Sequence, residues 1–275
     1  MPEKSLKAVA FDLWETLITE SPERLRAQER LRFTRIESIL AARGFGALAD
    51  RIEQAYRALW NRCLDLYWSA DRDVPCRRQI EHFLEELDLD PATMDETMLA
   101  ELEHAYASAA LDILPHTVEG ARETLQELKS RGLRIGMISN TGRTPGYVLR
   151  DVLERLDLAP SIDAMLFSNE HGECKPQTSI FEALRDRLGV AYDEMAFVGD
   201  NLYVDVHGAQ RCGMRGIHFV PAARGMAVAP HVEHGLEIVP DATITELREL
   251  LSVVSCPLSV DISSDNRQPK TDNPS

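Results

Sequence analysis

The chain has 275 residues, 44% of them hydrophobic, enough for one large domain or two modest ones around a packed core. Its formal net charge is −15, from 45 Asp and Glu against 30 Lys and Arg, which makes nucleic acid and an anionic membrane surface poor partners. Five scattered cysteines (Cys63, Cys76, Cys174, Cys212, Cys256) form no CxxC pair, and no apolar run has the length of a signal-peptide core or a membrane span, so a reducing, cytoplasmic setting is expected, without structural zinc.

In chain order, residues 8–13 are a short apolar run of the buried-strand type. Residues 21–114 then carry no convincing strand but show helical patterns at 25–40, 52–68 and 80–87. A helix is predicted over 118–131, with Val118, Ala121, Leu125 and Leu128 on one face and Gly132 as its stop signal. Strand-like runs follow at 134–139, 164–168, 195–199 and 216–220, separated by helices at 147–158 and 179–188. One more strand–helix pair is expected within 238–254. Strands alternating with helices predict an α/β fold with a doubly wound parallel sheet. The expected division is an α/β core over 1–20 and 115–255, an all-helical cap domain over 21–114 above the carboxyl edge of the sheet, and a polar, disordered tail over 256–275.

Ligands of doubly wound sheets bind at the carboxyl ends of the strands. Here four strand ends carry polar residues. The first run ends at Asp12, with Thr16 in the turn beyond. The second ends Ser139-Asn140-Thr141-Gly142. The third leads through Ser168-Asn169-Glu170 to Lys175-Pro176, and the fourth ends Gly199-Asp200-Asn201, with Asp205 beyond. Singly, each is a common turn former, cap or helix entry. Lys175 stands out, because the chain has only five lysines and otherwise uses Arg.

Together, in this order, the four clusters resemble the motifs of the haloacid dehalogenase-like hydrolases over about residues 6–225. The resemblance implies a Rossmann-type core and a hydrolase acting on a small phosphorylated molecule through an aspartyl-phosphate. It assigns Asp12 as nucleophile, Lys175 as the charge between Asp12 and an anionic substrate, and Ser139 and Thr16 as hydroxyl donors to substrate oxygens. Asn140 joins them as a substrate contact. Mg²⁺ would be held by Asp12, Asp200 and the Trp14 main-chain carbonyl, with Asp205 either a further ligand or the group that orients Lys175. From the residues themselves, Arg143 is a candidate for a substrate anion, aided by the positive end of the helix starting near Pro145.

Trp14 departs from the resemblance. Phosphatases of this family look like Asp-x-Asp at the first strand, where the second Asp protonates the leaving group. An indole N–H only donates and cannot exchange a proton near neutral pH. Haloacid dehalogenases also lack that Asp, but they need no metal and typically lose the acid at Asp200. Phosphonatases use a cap lysine, and residues 20–115 contain none. Glu15 lies one residue beyond the required position and reads more simply as a polar turn residue. Arg24, Arg26, Arg30, Trp60, Tyr67 and Trp68 in the insert are candidates for a substrate rim, against the simpler reading of a solvated helix face and packing core. The expectation is thus a Mg²⁺-dependent phosphatase of atypical acid/base chemistry. The alternatives are a metal-free 2-haloacid dehalogenase and a non-catalytic binding protein on the same fold.

Overall fold

The computed structural model describes residues 5–221 and 236–254. Its strands are β1 (Ala8–Phe11), β2 (Ile18–Thr19), β3 (His116–Thr117), β4 (Arg134–Ser139), β5 (Ala164–Phe167), β6 (Met195–Gly199), β7 (Arg215–Phe219) and β8 (Ala242–Ile244). The main helices are α1 (Pro22–Ala42), α2 (Ile52–Leu66), α3 (Cys76–Glu86), α4 (Glu96–Ala107), α5 (Ala109–Asp112), α6 (Ala121–Ser130), α7 (Gly146–Arg155), α8 (Ser168–His171), α9 (Thr178–Leu188), α10 (Gly208–Cys212) and α11 (Leu250–Val253).

Six strands form one sheet in the order β5-β4-β1-β6-β7-β8, every pair parallel. Helix layers cover both faces, which is why β1 and β6 are buried at every residue. The pleat sorts their side chains by period two. Ala8, Ala10, Met195 and Phe197 face a cluster with Phe181 and Leu184 of α9. Val9, Phe11, Ala196 and Val198 face another with Leu125 and Leu128 of α6. β1 sits between β4 and β6; the chain runs outward from it to β5 on one side and to β8 on the other. The crevice beyond β1 is therefore the topological switch point, where this kind of sheet accepts ligands.

Helices α1–α4 share their own apolar cluster, built on Ile36, Tyr56, Leu59, Phe83, Leu102 and Tyr106, which Val148 and Val152 of α7 join. Ser21 caps α1 by accepting the Arg24 amide at 3.2 Å, with Pro22 in the first turn. The entry and exit of this helical insert are joined by an antiparallel ribbon, Ile18 with Thr117 and Thr19 with His116. No helix among the described residues is long and apolar enough to cross a membrane.

Boundaries differ from the sequence reading in small ways. β1 stops at Phe11 rather than residue 13, because the Leu13 carbonyl turns to accept the Leu17 and Ile18 amides. Ser168 opens α8 instead of ending β5. α2 ends at Leu66, before a short turn over Trp68–Ala70. α4 and the two-residue ribbon strands were not foreseen, the ribbon being too short to show alternation. The expected tail over 256–275 lies outside the described residues.

Glu20, just past β2, is fully buried; its Oε2 accepts a 2.6 Å bond from Gln28, while Oε1 has no partner. Burial lifts its pKa to about 7, with Gln28, Arg24 and Arg32 pulling it back. A carboxyl raised on folding contributes stability below its unfolded pKa, and that contribution is lost as pH rises towards 7. The melting temperature of Glu20→Gln relative to wild type should therefore rise between pH 5 and pH 8; a flat difference in thermal melts would sink this assignment.

Candidate active site

The ends of β1, β4 and β6 and the segment before α9 bring Asp12, Asn140, Lys175, Asp200 and Asp205 together. Asp12 follows β1, its amide bonded to the Val198 carbonyl of β6 at 2.8 Å. Lys175 is 1% exposed and donates from Nζ to Asp12 Oδ1 at 2.5 Å and to Asp205 Oδ1 at 2.6 Å. Asp205 Oδ2 accepts the Asn201 amide at 3.1 Å. Asp205 packs so closely under the end of β6 that a Cβ at Gly199 would stand 2.3 Å from its carboxylate, so only glycine fits there. The turn over Leu202–His207 is a wide π-type turn, held by Asn201 Oδ1 accepting the Tyr203 and Val204 amides.

Burial is the largest influence on Asp12 and raises its pKa; Lys175 pulls it down and Asp205 pushes it up, leaving it at about 6. Burial alone would lower the Lys175 ammonium, but Asp12 and Asp205 outweigh it and hold its pKa above the usual lysine range. Lys175 is thus a permanent cation near neutral pH. Asp205 is raised by burial and by repulsion from Asp200, against the pull of Lys175.

The Thr16 and Ser139 hydroxyls are fully buried and have no hydrogen-bond partner. Buried hydroxyls without partners are rare and costly, so donors left this way at a switch point suit an oxyanion. Asn140, expected to contact substrate, is instead tied to the main chain of Lys175 at both ends, accepting its amide at 2.9 Å and donating to its carbonyl at 3.0 Å. The positive end of α7 is also partly used, because the Gly146 amide donates to Asn169 Oδ1 at 3.1 Å. Glu15 lies in the left-handed region (φ 60°), with Oε1 accepting the Thr19 hydroxyl at 2.9 Å. Its carboxylate is anchored to β2, a buried turn residue and not a stand-in at position 14. Trp14 is half-buried against the sheet cluster.

The donor set suits a divalent cation. Carboxylate oxygens of Asp12, Asp200 and Asp205 lie within 4.8 Å of one another, all buried. Three carboxylates against one ammonium leave an excess of two negative charges away from water, which a hard divalent ion would neutralise. Both Asp205 oxygens already have donors, so Asp12 and Asp200 are the better ligands.

Arg143 makes its contacts inside the helical insert. Its guanidinium carbon lies 4.2 Å from the Tyr56 ring centre and 4.5 Å from that of Trp60. Of the other rim candidates, Arg24 bonds to the Leu114 carbonyl, Arg26 and Arg30 are exposed, and Tyr67 pairs with His82 at 2.9 Å. Trp68 donates to Asp73 at 2.9 Å.

Asp73 and Gln79 were missed. Asp73 is buried and joins the insert to the core: Oδ1 accepts from Trp68 and the Val74 amide, and Oδ2 from the Thr141 and Ser168 hydroxyls. Gln79 donates to the Gly142 carbonyl at 3.0 Å and accepts from Tyr106 at 2.9 Å. An acidic loop residue and a mid-helix Gln carry no local signal of such roles.

These features define a doubly wound α/β protein with a buried aspartate–lysine pair at its switch point. A family model described as haloacid dehalogenase-like hydrolase matches residues 6–213, and the chain belongs to that family. Ribulose-1,5-bisphosphate 5-phosphatase of Halopiger xanaduensis is 34% identical over 151 residues, 55% of this chain and 62% of the relative, so the chain matches less than two thirds of it. Glyceraldehyde 3-phosphate phosphatase of Pyrococcus furiosus is 27% identical over 251 residues, 91% of this chain and 94% of that protein. The structure of 2-haloacid dehalogenase from Pseudomonas syringae pv. Tomato shares the fold with a TM-score of 0.61 at 24% identity, covering 91% of this chain and 98% of that one. A phosphatase of the same family from Thermococcus onnurineus gives 0.53 at 22%, covering 90% and 98%. The chain is a phosphatase-like hydrolase.

Asp205→Asn should remove one of the two anions that hold the buried ammonium, lowering unfolding free energy by about 3 kcal/mol in denaturant titrations. An unchanged midpoint would mean Asp205 does not hold Lys175 in solution.

Proposed function

We propose that the chain is a Mg²⁺-dependent phosphohydrolase acting on a small phosphorylated molecule, with Asp12 as nucleophile. The single observation that carries this is the buried Lys175 ammonium bonded to Asp12, with the unpartnered Thr16 and Ser139 hydroxyls on neighbouring elements. Relatives named as phosphatases of ribulose-1,5-bisphosphate, glyceraldehyde 3-phosphate and phosphoglycolate support a substrate of this class. We also propose that residues 21–114 act as a cap over the site and that the protein works in the cytoplasm.

In this reading Asp12 attacks phosphorus, an Asp12 oxygen–phosphorus bond forms, and the ester P–O bond breaks with its electron pair leaving on the alcohol oxygen. Water then attacks phosphorus, the Asp12 oxygen–phosphorus bond breaks to restore the carboxylate and release inorganic phosphate, and the proton water gives up to solvent balances the one the departing alkoxide takes from it. Lys175 stabilises charge on the phosphoryl oxygens, and Thr16 and Ser139 donate to them. Asp205 and Asn140 hold Lys175 in place. Mg²⁺, held by Asp12, Asp200 and the Trp14 carbonyl, would offset negative charge between nucleophile and substrate. Nothing at Trp14 protonates the leaving oxygen, so acyl phosphates and phenolic esters should turn over fastest.

Trp14 favours a second reading, dehalogenation, since a halide leaves without a proton. The excess of buried negative charge weighs against a metal-free site. Activity on a 2-haloacid that survives a chelator would support dehalogenation.

Asp12→Asn should reduce phosphate release to background in a variant that stays folded by circular dichroism, with a lowered melting temperature because Lys175 loses one of its two anions; full activity in that variant would refute the nucleophile. A chelator should abolish phosphate release and Mg²⁺ restore it. Trp14→Asp should raise kcat on alkyl phosphates more than on aryl phosphates. No gain in a folded variant would give Trp14 a positive role in substrate placement.

A further inference from the structure

Arg143 is a charged donor with no acceptor. Its guanidinium is half-buried, Nε is sealed from solvent without a partner, and none of its N–H groups bonds to a described residue. Only Nε is closed to water; the terminal nitrogens carry the other four N–H donors, with no partner among the described residues. Tyr56 and Trp60, one turn apart on α2, supply cation–π contact, worth about 0.5–2 kcal/mol. Ring faces give no in-plane acceptor, however. A planar fork of free N–H groups matches a carboxylate or phosphate.

A second unpartnered group lies at the same place. The Tyr56 hydroxyl is buried with no hydrogen bond, although its ring touches Arg143. The loop is built to hold Arg143 there. Gly142 turns it with φ +63°, Trp60 lies 3.7 Å from where a Gly142 Cβ would be, and Gln79 binds the Gly142 carbonyl. Arg143 follows Ser139 by four residues, so their Cα atoms are at most ~14 Å apart, and the turn at Gly142 shortens that span.

We propose that Arg143, framed by Tyr56 and Trp60, is the specificity-determining residue for a second anionic group of the substrate, a carboxylate or second phosphate set several bonds from the phosphoryl group at Asp12. This deepens the phosphohydrolase reading and rests on it. The preferred substrate is a small molecule with anions at both ends, and the two rings of the insert hold Arg143 towards the distal one.

The test uses three series of two to five carbons: ω-carboxyalkyl phosphates, alkanediol bisphosphates and neutral ω-hydroxyalkyl phosphates. Binding is measured by calorimetry with Mg²⁺ on full-length Asp12→Asn, so the readout does not need turnover. At the best-fitting length, at least one anionic series should bind roughly 10- to 100-fold tighter than the neutral one, and Asp12→Asn/Arg143→Gln should lose that preference. Which anionic series wins separates carboxylate from phosphate. Arg143→Lys, which keeps the charge without the planar fork, should retain only part of the preference and serves if the Gln variant fails to fold. Equal binding of all three series, or a preference that survives Arg143→Gln, overturns the proposal. Phosphate release by the wild type decides the hydrolase reading separately: anion-selective binding without release would leave the distal site standing and refute the hydrolysis.

Discussion

Lys175 carries a full charge in a place almost closed to water, and the catalytic side of the molecule is organised around keeping it there. The cost of burying an ammonium is several kcal/mol unless geometry and partners compensate. Here Asp12 and Asp205 meet it from β1 and from the turn after β6, so the proposed nucleophile is itself one of the anions that make the lysine tolerable. The arrangement fixes other choices. Asp205 can reach the lysine only because Gly199 has no side chain, and Asn140 fixes the lysine main chain from the β4 end. Three parallel strands thus have their carboxyl ends tied to one residue.

The helical insert is tied to the same loop. The Cys174 amide donates to the Asp71 carbonyl at 2.7 Å and the Asp73 amide to the Gly172 carbonyl at 3.0 Å, so residues 71–73 run against the segment just before Lys175. Asp73 binds Thr141 and Ser168 in the core, while Gln79 binds the carbonyl preceding Arg143. Movement of the insert away from the sheet would break a set of buried polar contacts together, leaving the Asp73 carboxylate without its hydroxyl donors. Position of the insert and shape of the catalytic loops are therefore coupled through hydrogen bonds that are costly to leave unmade.

The sheet was legible because strands covered on both faces must be apolar throughout, and residues 8–11 and 195–199 show that directly. Asp12 was legible because a charged residue at a strand end interrupts that pattern, whereas Lys175 and Asp205, further along their loops, were reached through the resemblance of the four clusters taken together. The Asn140 side chain's bonds to the Lys175 main chain were not legible: a strand-end amide looks the same in sequence whether it faces a ligand or a neighbouring main chain. Arg143 was read as an anion-binding residue, but not its contact with Tyr56 and Trp60, since nothing local joins residue 143 to residues 56 and 60. The β2–β3 ribbon, Asp73 and Gln79 share that obstacle. Each takes its meaning from a partner dozens of residues away, beyond the reach of a period of 2 or 3.6.

The turn after Asp12 gathers the remaining oddities. Glu15 holds a left-handed conformation that costs a non-glycine residue of order 1 kcal/mol or more. Its carboxylate recovers part of that through Thr19, and its amide donates to the Ile18 carbonyl at 2.7 Å. Glu15 is thereby fixed to the ribbon at the entry of the insert, and Trp14 beside it packs on the core of the sheet. A residue needed for proton exchange has to reach the leaving oxygen, whereas this turn uses both candidates for structure. Neither Trp14 nor Glu15 is thus placed for proton exchange, while charge compensation is concentrated at Asp12 beside them. In the proposed phosphohydrolase, a site of that kind would depend on the substrate for a stable leaving group, and on a precise grip at both ends of the substrate to lower the barrier by placement instead.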